Sequence, residues 1–163
     1  MISFPTAIPS LLHSDTMGRV ENILVRPTRK EPAQTVEEWD PSGNADHGNP
    51  NSKRAVTLIQ KEHLDVVAAL SGNDIKWELT RRNVLVSGIN LQSLIGHRFR
   101  IGDAIFEGTC LVDPCKNMEA AMGPGTYAAM MGHGGIGAKI IGKGSIRVGD
   151  NIQWLGTNQP EED

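Results

Sequence analysis

The spacing of apolar positions changes several times along the chain, and each change marks an element. Gly18 to Val25 reads as a first strand. Ala55-Val56-Thr57-Leu58-Ile59 is rich in β-branched residues and reads as another. Lys61 to Leu70 then shifts to helical spacing, with Leu64, Val67, Ala68 and Leu70 on one broad face and Ser71-Gly72 as the stop. Asn83 to Ser87 returns to strand. Leu91 to Ile95 is a short helix closed by Gly96. Arg98 to Ile101 and Ala104 to Val112 are strands joined by a turn at Gly102-Asp103. Lys116 to Met122 and Thr126 to Met131 are short helices separated by Gly123-Pro124-Gly125. Two strands are expected between Gly137 and Leu155.

Between these elements the pattern is interrupted. Pro5 and Pro9 break any periodicity before residue 17, so residues 1–17 are expected to be an arm. Residues 27–52 are polar and carry Pro27, Pro32, Pro41 and Pro50. They read as a long loop with one short strand near Thr35-Val36-Glu37. A loop of this length in a compact domain is often functional. One motif returns: Phe99-Arg100-Ile101-Gly102-Asp103-Ala104-Ile105 is echoed by Ile146-Arg147-Val148-Gly149-Asp150-Asn151-Ile152. Similar Gly-Asp turns between apolar strands point to a strongly bent sheet. The fold class expected is mainly β with α: a closed or partly open β-barrel with several short helices, formed by a single domain over residues 18–155. An acidic tail follows at 156–163.

Composition narrows the reading. At 163 residues one domain buries about two-thirds of its unfolded surface and needs no disulfide or metal for a core. Aromatics are only 4%, so the core is expected to be aliphatic and Met-rich. The net charge of −3 gives no footprint for nucleic acid. Residues 47–157 hold 12 Lys and Arg against 9 Asp and Glu, a body of 12 − 9 = +3; this reads as ordinary surface charge, with attraction of a small anion as the alternative. No apolar run is long enough to span a membrane, and the N-terminus lacks the basic and apolar regions of a signal peptide. The expectation is a cytoplasmic protein with reduced thiols.

Two cysteines carry the candidate chemistry. Cys115 follows Pro114 between a strand and a helix start, where a thiolate is able to carry sulfur or bind a soft metal. The alternative is a buried, inert thiol. Cys110 shares strand parity with Ala104 and Phe106 and reads as a core thiol. Arg81 and Arg82 precede a strand, and neighbouring strand residues face opposite sides, so Arg82 with Asn83 is the pair expected in a pocket. A guanidinium there suits phosphate, and an amide offers both donor and acceptor. His47 and His133 each adjoin glycine, and Gly134-Gly135 belong to a run able to cradle an anion or simply to turn the chain. The histidine and cysteine spacings of zinc sites are absent, as are nucleotide-binding glycine motifs.

The segments Asp46-His47-Gly48, Arg54-Ala55-Val56-Thr57-Leu58, Arg81 to Gly88, Ile95-Gly96, Phe99 to Ala104, Pro114-Cys115, Gly132-His133-Gly134-Gly135 and Arg147 to Asp150, in this order, resemble the MOSC domain. That family is named for the C-terminal domain of molybdenum-cofactor sulfurases. The resemblance covers residues 18–155 and implies a β-barrel with a site for molybdenum cofactor, a phosphate-bearing pterin dithiolene (molybdopterin). It carries the family's cysteine, sulfur carrier or molybdenum ligand, to Cys115, with Cys110 as runner-up. Arg82 and Asn83, with Arg81, His47, His133, Gly134 and Gly135, become the cofactor-binding set. The implied activities are sulfur transfer or reduction of N-hydroxylated compounds, with a sulfur-donor or electron-transfer protein as partner. The alternative is a carrier domain without turnover. The expectation is a short member, without the desulfurase and N-terminal barrel regions of longer ones.

Overall fold

Alternating strands leave an apolar face that only another layer, or closure of the sheet on itself, removes from water. A computed structural model describes residues 18–26, 31–43 and 49–157. The strands are β1 (Gly18–Val25), β2 (Gln34–Val36), β3 (Glu38–Trp39), β4 (Val56–Gln60), β5 (Val84–Ser87), β6 (His97–Ile101), β7 (Ala104–Leu111), β8 (Ile136–Gly142), β9 (Ile146–Arg147) and β10 (Asn151–Thr157). Seven of them, in the order β1-β5-β4-β8-β7-β6-β10, close into a barrel, because β10 pairs back onto the start of β1. The C-terminal half of β1 pairs instead with β2. The expected class, mainly β with short helices around a closed barrel, is the one observed. The arm at residues 1–17 and most of the acidic tail lie outside the described residues. β10 runs through Thr157, so the expected tail boundary falls inside a strand.

All ladder pairings in the barrel are antiparallel except β4 with β5. A parallel pair needs a long crossover. Here it is helix α1 (Lys61–Ser71) followed by a 3-10 turn at Trp77–Thr80. Gly72 ends α1 in the left-handed conformation, as the Ser71-Gly72 stop implies. Helices α2 (Lys116–Met122) and α3 (Thr126–Met130) join α1 in a layer outside the barrel.

Two cores result. Inside the barrel, Val20, Ile23, Leu58, Val84, Phe99, Phe106, Ile136 and Ile152 are fully enclosed, with Phe99 stacked on Phe106 at 5.6 Å. Between barrel and helices lie Ile59, Leu64, Val67, Trp77, Met118, Met122 and Met130. The strands β4 and β5 serve both cores, which explains why their residues are buried without alternation. The methionines of α2 and α3 read as core residues, and three are. Met131 is 52% exposed, because α3 ends at Met130 and the next residue turns outward.

The C-terminal segment differs from the two strands expected. It makes three, because the Gly149-Asp150 turn splits off the short β9, which pairs with β3 and sends Trp39 and Ile146 into the barrel core. The repeated Gly-Asp turns meet in space. Gly102 has φ +56, and a Cβ there would collide with the Asp150 carboxylate. That carboxylate caps its own turn by accepting from the Arg147 amide at 2.7 Å.

Candidate functional site

The crossover from β4 to β5 delivers Arg82 into the body of the protein. Just before it, Arg81 takes φ 62, the one non-glycine positive φ among the described residues. That left-handed residue ends the 3-10 turn and aims its neighbour inward. Arg82 is 7% exposed. Its Nε donates to the Gly134 carbonyl at 2.8 Å, Nη1 to the Thr80 carbonyl at 3.1 Å and Nη2 to the Asp113 carbonyl at 3.3 Å. A guanidinium has five N–H groups. Three are used, so Nη1 and Nη2 each keep one without a partner among the described residues. No carboxylate among the described residues pairs with the group. Burial pulls Arg82 down to about 10, the Cys115 sulfur pushes it back up and the Arg54 charge lowers it further. It stays cationic at neutral pH.

Arg82 lines a cleft of about 400 Å³ shared with Arg54, Thr57, Arg81, Asp113 and Cys115. Cys115 is exposed and is the residue before α2, its carbonyl accepting the first helical bond from Met118. The segment Val112 to Asp113 is tied down from two sides. The Val112 amide donates to the Gly135 carbonyl at 2.9 Å, and the Asp113 carbonyl receives Arg82. The thiol is therefore held at the rim of a cationic cleft by backbone that Arg82 itself organises.

Cys110 is not the core thiol that strand parity predicts. β7 carries a bulge: Gly108 faces Ala138 and Cys110 faces Gly137, leaving Thr109 as an extra residue. One inserted residue reverses the side on which later side chains lie. Ala104, Phe106 and Gly108 face the core, whereas Cys110 turns to the other side with Gly137 and is half-buried. There it meets Arg54. A Cβ on Gly137 would lie 3.0 Å from Arg54 Cγ and 3.2 Å from Cys110 Sγ, so the missing side chain leaves room for both. Burial raises the Cys110 thiol, but the Thr109 hydroxyl, the Arg54 guanidinium and the Gly137 amide outweigh it and hold it below 9.0.

The remaining candidates divide. Asn83 is 1% exposed, and its amide serves the barrel wall. Its Oδ1 accepts from the Thr57 amide at 3.0 Å and hydroxyl at 3.1 Å, and its Nδ2 donates to Leu24 at 3.2 Å. It thereby joins β4, β5 and β1. Gly134 and Gly135 contribute carbonyls and close approach. A Cβ on Gly134 would strike the Val112 carbonyl, and one on Gly135, which has φ +90, the Leu58 carbonyl. His133 is not among the residues lining the cleft; it lies edge-on to His63 at 4.7 Å, with a buried Nδ1 that has no hydrogen-bond partner among the described residues. His47 lies outside the described residues.

A family model for the MOSC domain matches residues 21–153. The chain belongs to the MOSC domain family. Among solved structures, the YuaD protein from Bacillus subtilis is similar with a TM-score of 0.71 at 19% identity, over 85% of this chain and 96% of that one. YiiM from Geobacillus stearothermophilus gives 0.68 at 16%, over 85% and 75%. YiiM from Escherichia coli gives 0.60 at 17%, over 84% and 69%. At these identities the likeness is one of fold. No curated protein matches the chain. In this MOSC domain the family motifs Arg54, Arg81-Arg82 and Pro114-Cys115 converge on one cleft, although they are far apart in sequence. Arg54 stood in a recognised motif without a role, and only the bulge and Gly137 reveal its contact with Cys110. His63 gave no signal in sequence beyond being a helical histidine.

Proposed function

We propose that this MOSC domain binds molybdenum cofactor in the Arg54–Arg81–Arg82 cleft, with Cys115 as its working thiol. The observation that carries the reading is a buried guanidinium with no carboxylate partner among the described residues, lining a cleft together with an exposed thiol. The residues fit such a group. A phosphate suits two free guanidinium N–H groups and two further arginines, and a soft metal in a sulfur-rich setting suits a thiolate. When bound, the cofactor supplies oxygen- or sulfur-atom transfer at molybdenum.

The chain's own residues do the rest. Arg82, Arg81 and Arg54 bind and orient the anionic end. Asn83 acts through the wall, fixing β5 against β4 so that Arg82 enters at the correct depth. Cys115 is free to act as sulfur carrier. Its thiolate attacks the outer sulfur of a donor persulfide, the donor's S–S bond breaks, the donor leaves as thiolate, and a new S–S bond remains on Cys115. Reduction of N-hydroxylated compounds would need electrons from a separate protein. A cytoplasmic setting, with both thiols reduced, suits either activity.

The test is expression in a cofactor-producing host, followed by metal analysis, pterin fluorescence and persulfide detection. Wild type is expected to retain molybdenum and pterin. Cys115→Ser should keep weakened pterin binding and lose persulfide formation and any reductase activity, while Cys110→Ser retains persulfide formation. Absence of both pterin and metal from the wild-type protein would overturn the cofactor reading. Loss confined to Cys110→Ser would move the working thiol to β7.

A further inference from the structure

Three arginines lining one cleft with an exposed thiol suit a sulfur atom that arrives on an anion. A thiolate approaching an anionic donor is repelled. That repulsion is stronger at the effective dielectric of a protein surface than in bulk water. Three arginines, Arg54, Arg81 and Arg82, line the cleft against one acidic residue, Asp113, and the reacting Cys115, so the cleft keeps a net positive charge even with the thiol ionised. Arg82 adds direction, because its two remaining N–H groups belong to a side chain that three carbonyls hold in one pose. A planar fork of this kind matches a tetrahedral oxyanion in two parallel bonds.

We propose that Cys115 takes sulfur from a small sulfane dianion of the thiosulfate class, held by the three arginines. The proposal rests on the reading of Cys115 as a sulfur carrier and adds the chemistry of the donor. The thiolate attacks the outer sulfur of thiosulfate. The S–S bond of thiosulfate breaks with its electron pair on the departing sulfite, and a persulfide remains on Cys115. Cyanide then takes the outer sulfur as thiocyanate and returns the thiolate. Charge and sulfur balance in both steps without an outside oxidant or reductant. The sulfonate end of the donor occupies the place that a phosphate would, so inorganic phosphate competes with it.

The experiment uses the full chain purified without cofactor. It is mixed with thiosulfate in one arm and with cysteamine persulfide, which carries no net charge, in the other. Sulfite release, intact mass and peptide mapping are read. Thiosulfate should add one sulfur atom to Cys115 and release sulfite. Phosphate should inhibit competitively. Arg54→Gln should slow loading by about tenfold, the effect of losing one charge-assisted contact. Loading of Cys115 by cysteamine persulfide but not by thiosulfate overturns the anionic donor and leaves the carrier reading intact. Thiosulfate loading indifferent to both phosphate and Arg54→Gln overturns the role of the arginines. Failure of both donors to load Cys115 overturns the carrier reading itself.

Discussion

Arg82 serves the fold and the site at once. Its three carbonyl partners, Thr80, Asp113 and Gly134, come from three separate segments, and one side chain holds them together. Lysine keeps the charge but not the planar fork. Arg82→Lys should therefore lower stability by roughly 3 kcal/mol through carbonyls left without donors, measured by urea unfolding, as well as weaken anion binding. Unchanged stability would mean that the carbonyls find other donors. Cys110 yields a second prediction at this scale. A thiol held below its ordinary value gains thiolate at lower pH than a free one. In a Cys115→Ser background, the alkylation rate of Cys110 should reach half its maximum at a lower pH than that of a free cysteine, and Arg54→Gln should move that midpoint upward. A midpoint unaffected by Arg54→Gln would remove the arginine from the thiol.

At the scale of elements, the glycine-rich segment between α3 and β8 links the helical layer to the cleft. Gly132 accepts from Gln92 at 2.6 Å, His133 packs on His63 of α1, and Gly134 receives Arg82. His63 is held below 6.5, first by burial and then by the neighbouring His133, with Glu62 acting in the opposite direction. The folded state thus favours the neutral ring, and the unfolded chain binds the proton more readily. Stability from this contact is complete above about pH 6.5 and declines as pH falls from there through the lower folded value. Thermal melts should show a smaller decline over that window for His63→Gln than for wild type. Parallel pH curves for the two proteins would show that the histidine pair carries no such linkage.

At the scale of the whole molecule, the barrel supplies the wall and the βαβ crossover supplies the site. The parallel β4–β5 pair forces a connection outside the barrel. That connection carries α1, the left-handed Arg81 and Arg82 in sequence. The rim of the cleft comes from the β7–α2 junction, which the β7–β8 ladder brings alongside. No helix among the described residues is long and apolar enough to cross a membrane.

The element order, the helix stop at Gly72, the Gly-Asp turns and the barrel class were legible in the sequence, because period, turn residues and β-branching act locally. The family motifs also name Cys115 and Arg82 together, and the fold places both on one cleft. Other features were decided by tertiary structure. Cys110 faces Arg54 only because a bulge inserts Thr109 into the ladder, and a bulge depends on the partner strand. Asn83 turned to the wall because Thr57 and Leu24 lie on adjacent strands from distant sequence. Gly134 and Gly135 are glycines because Val112 and Leu58 pass too close for a Cβ. Local pattern specifies which face of an element is apolar. Which polar groups end up without a partner, and therefore able to bind a ligand, depends on every segment that packs around them.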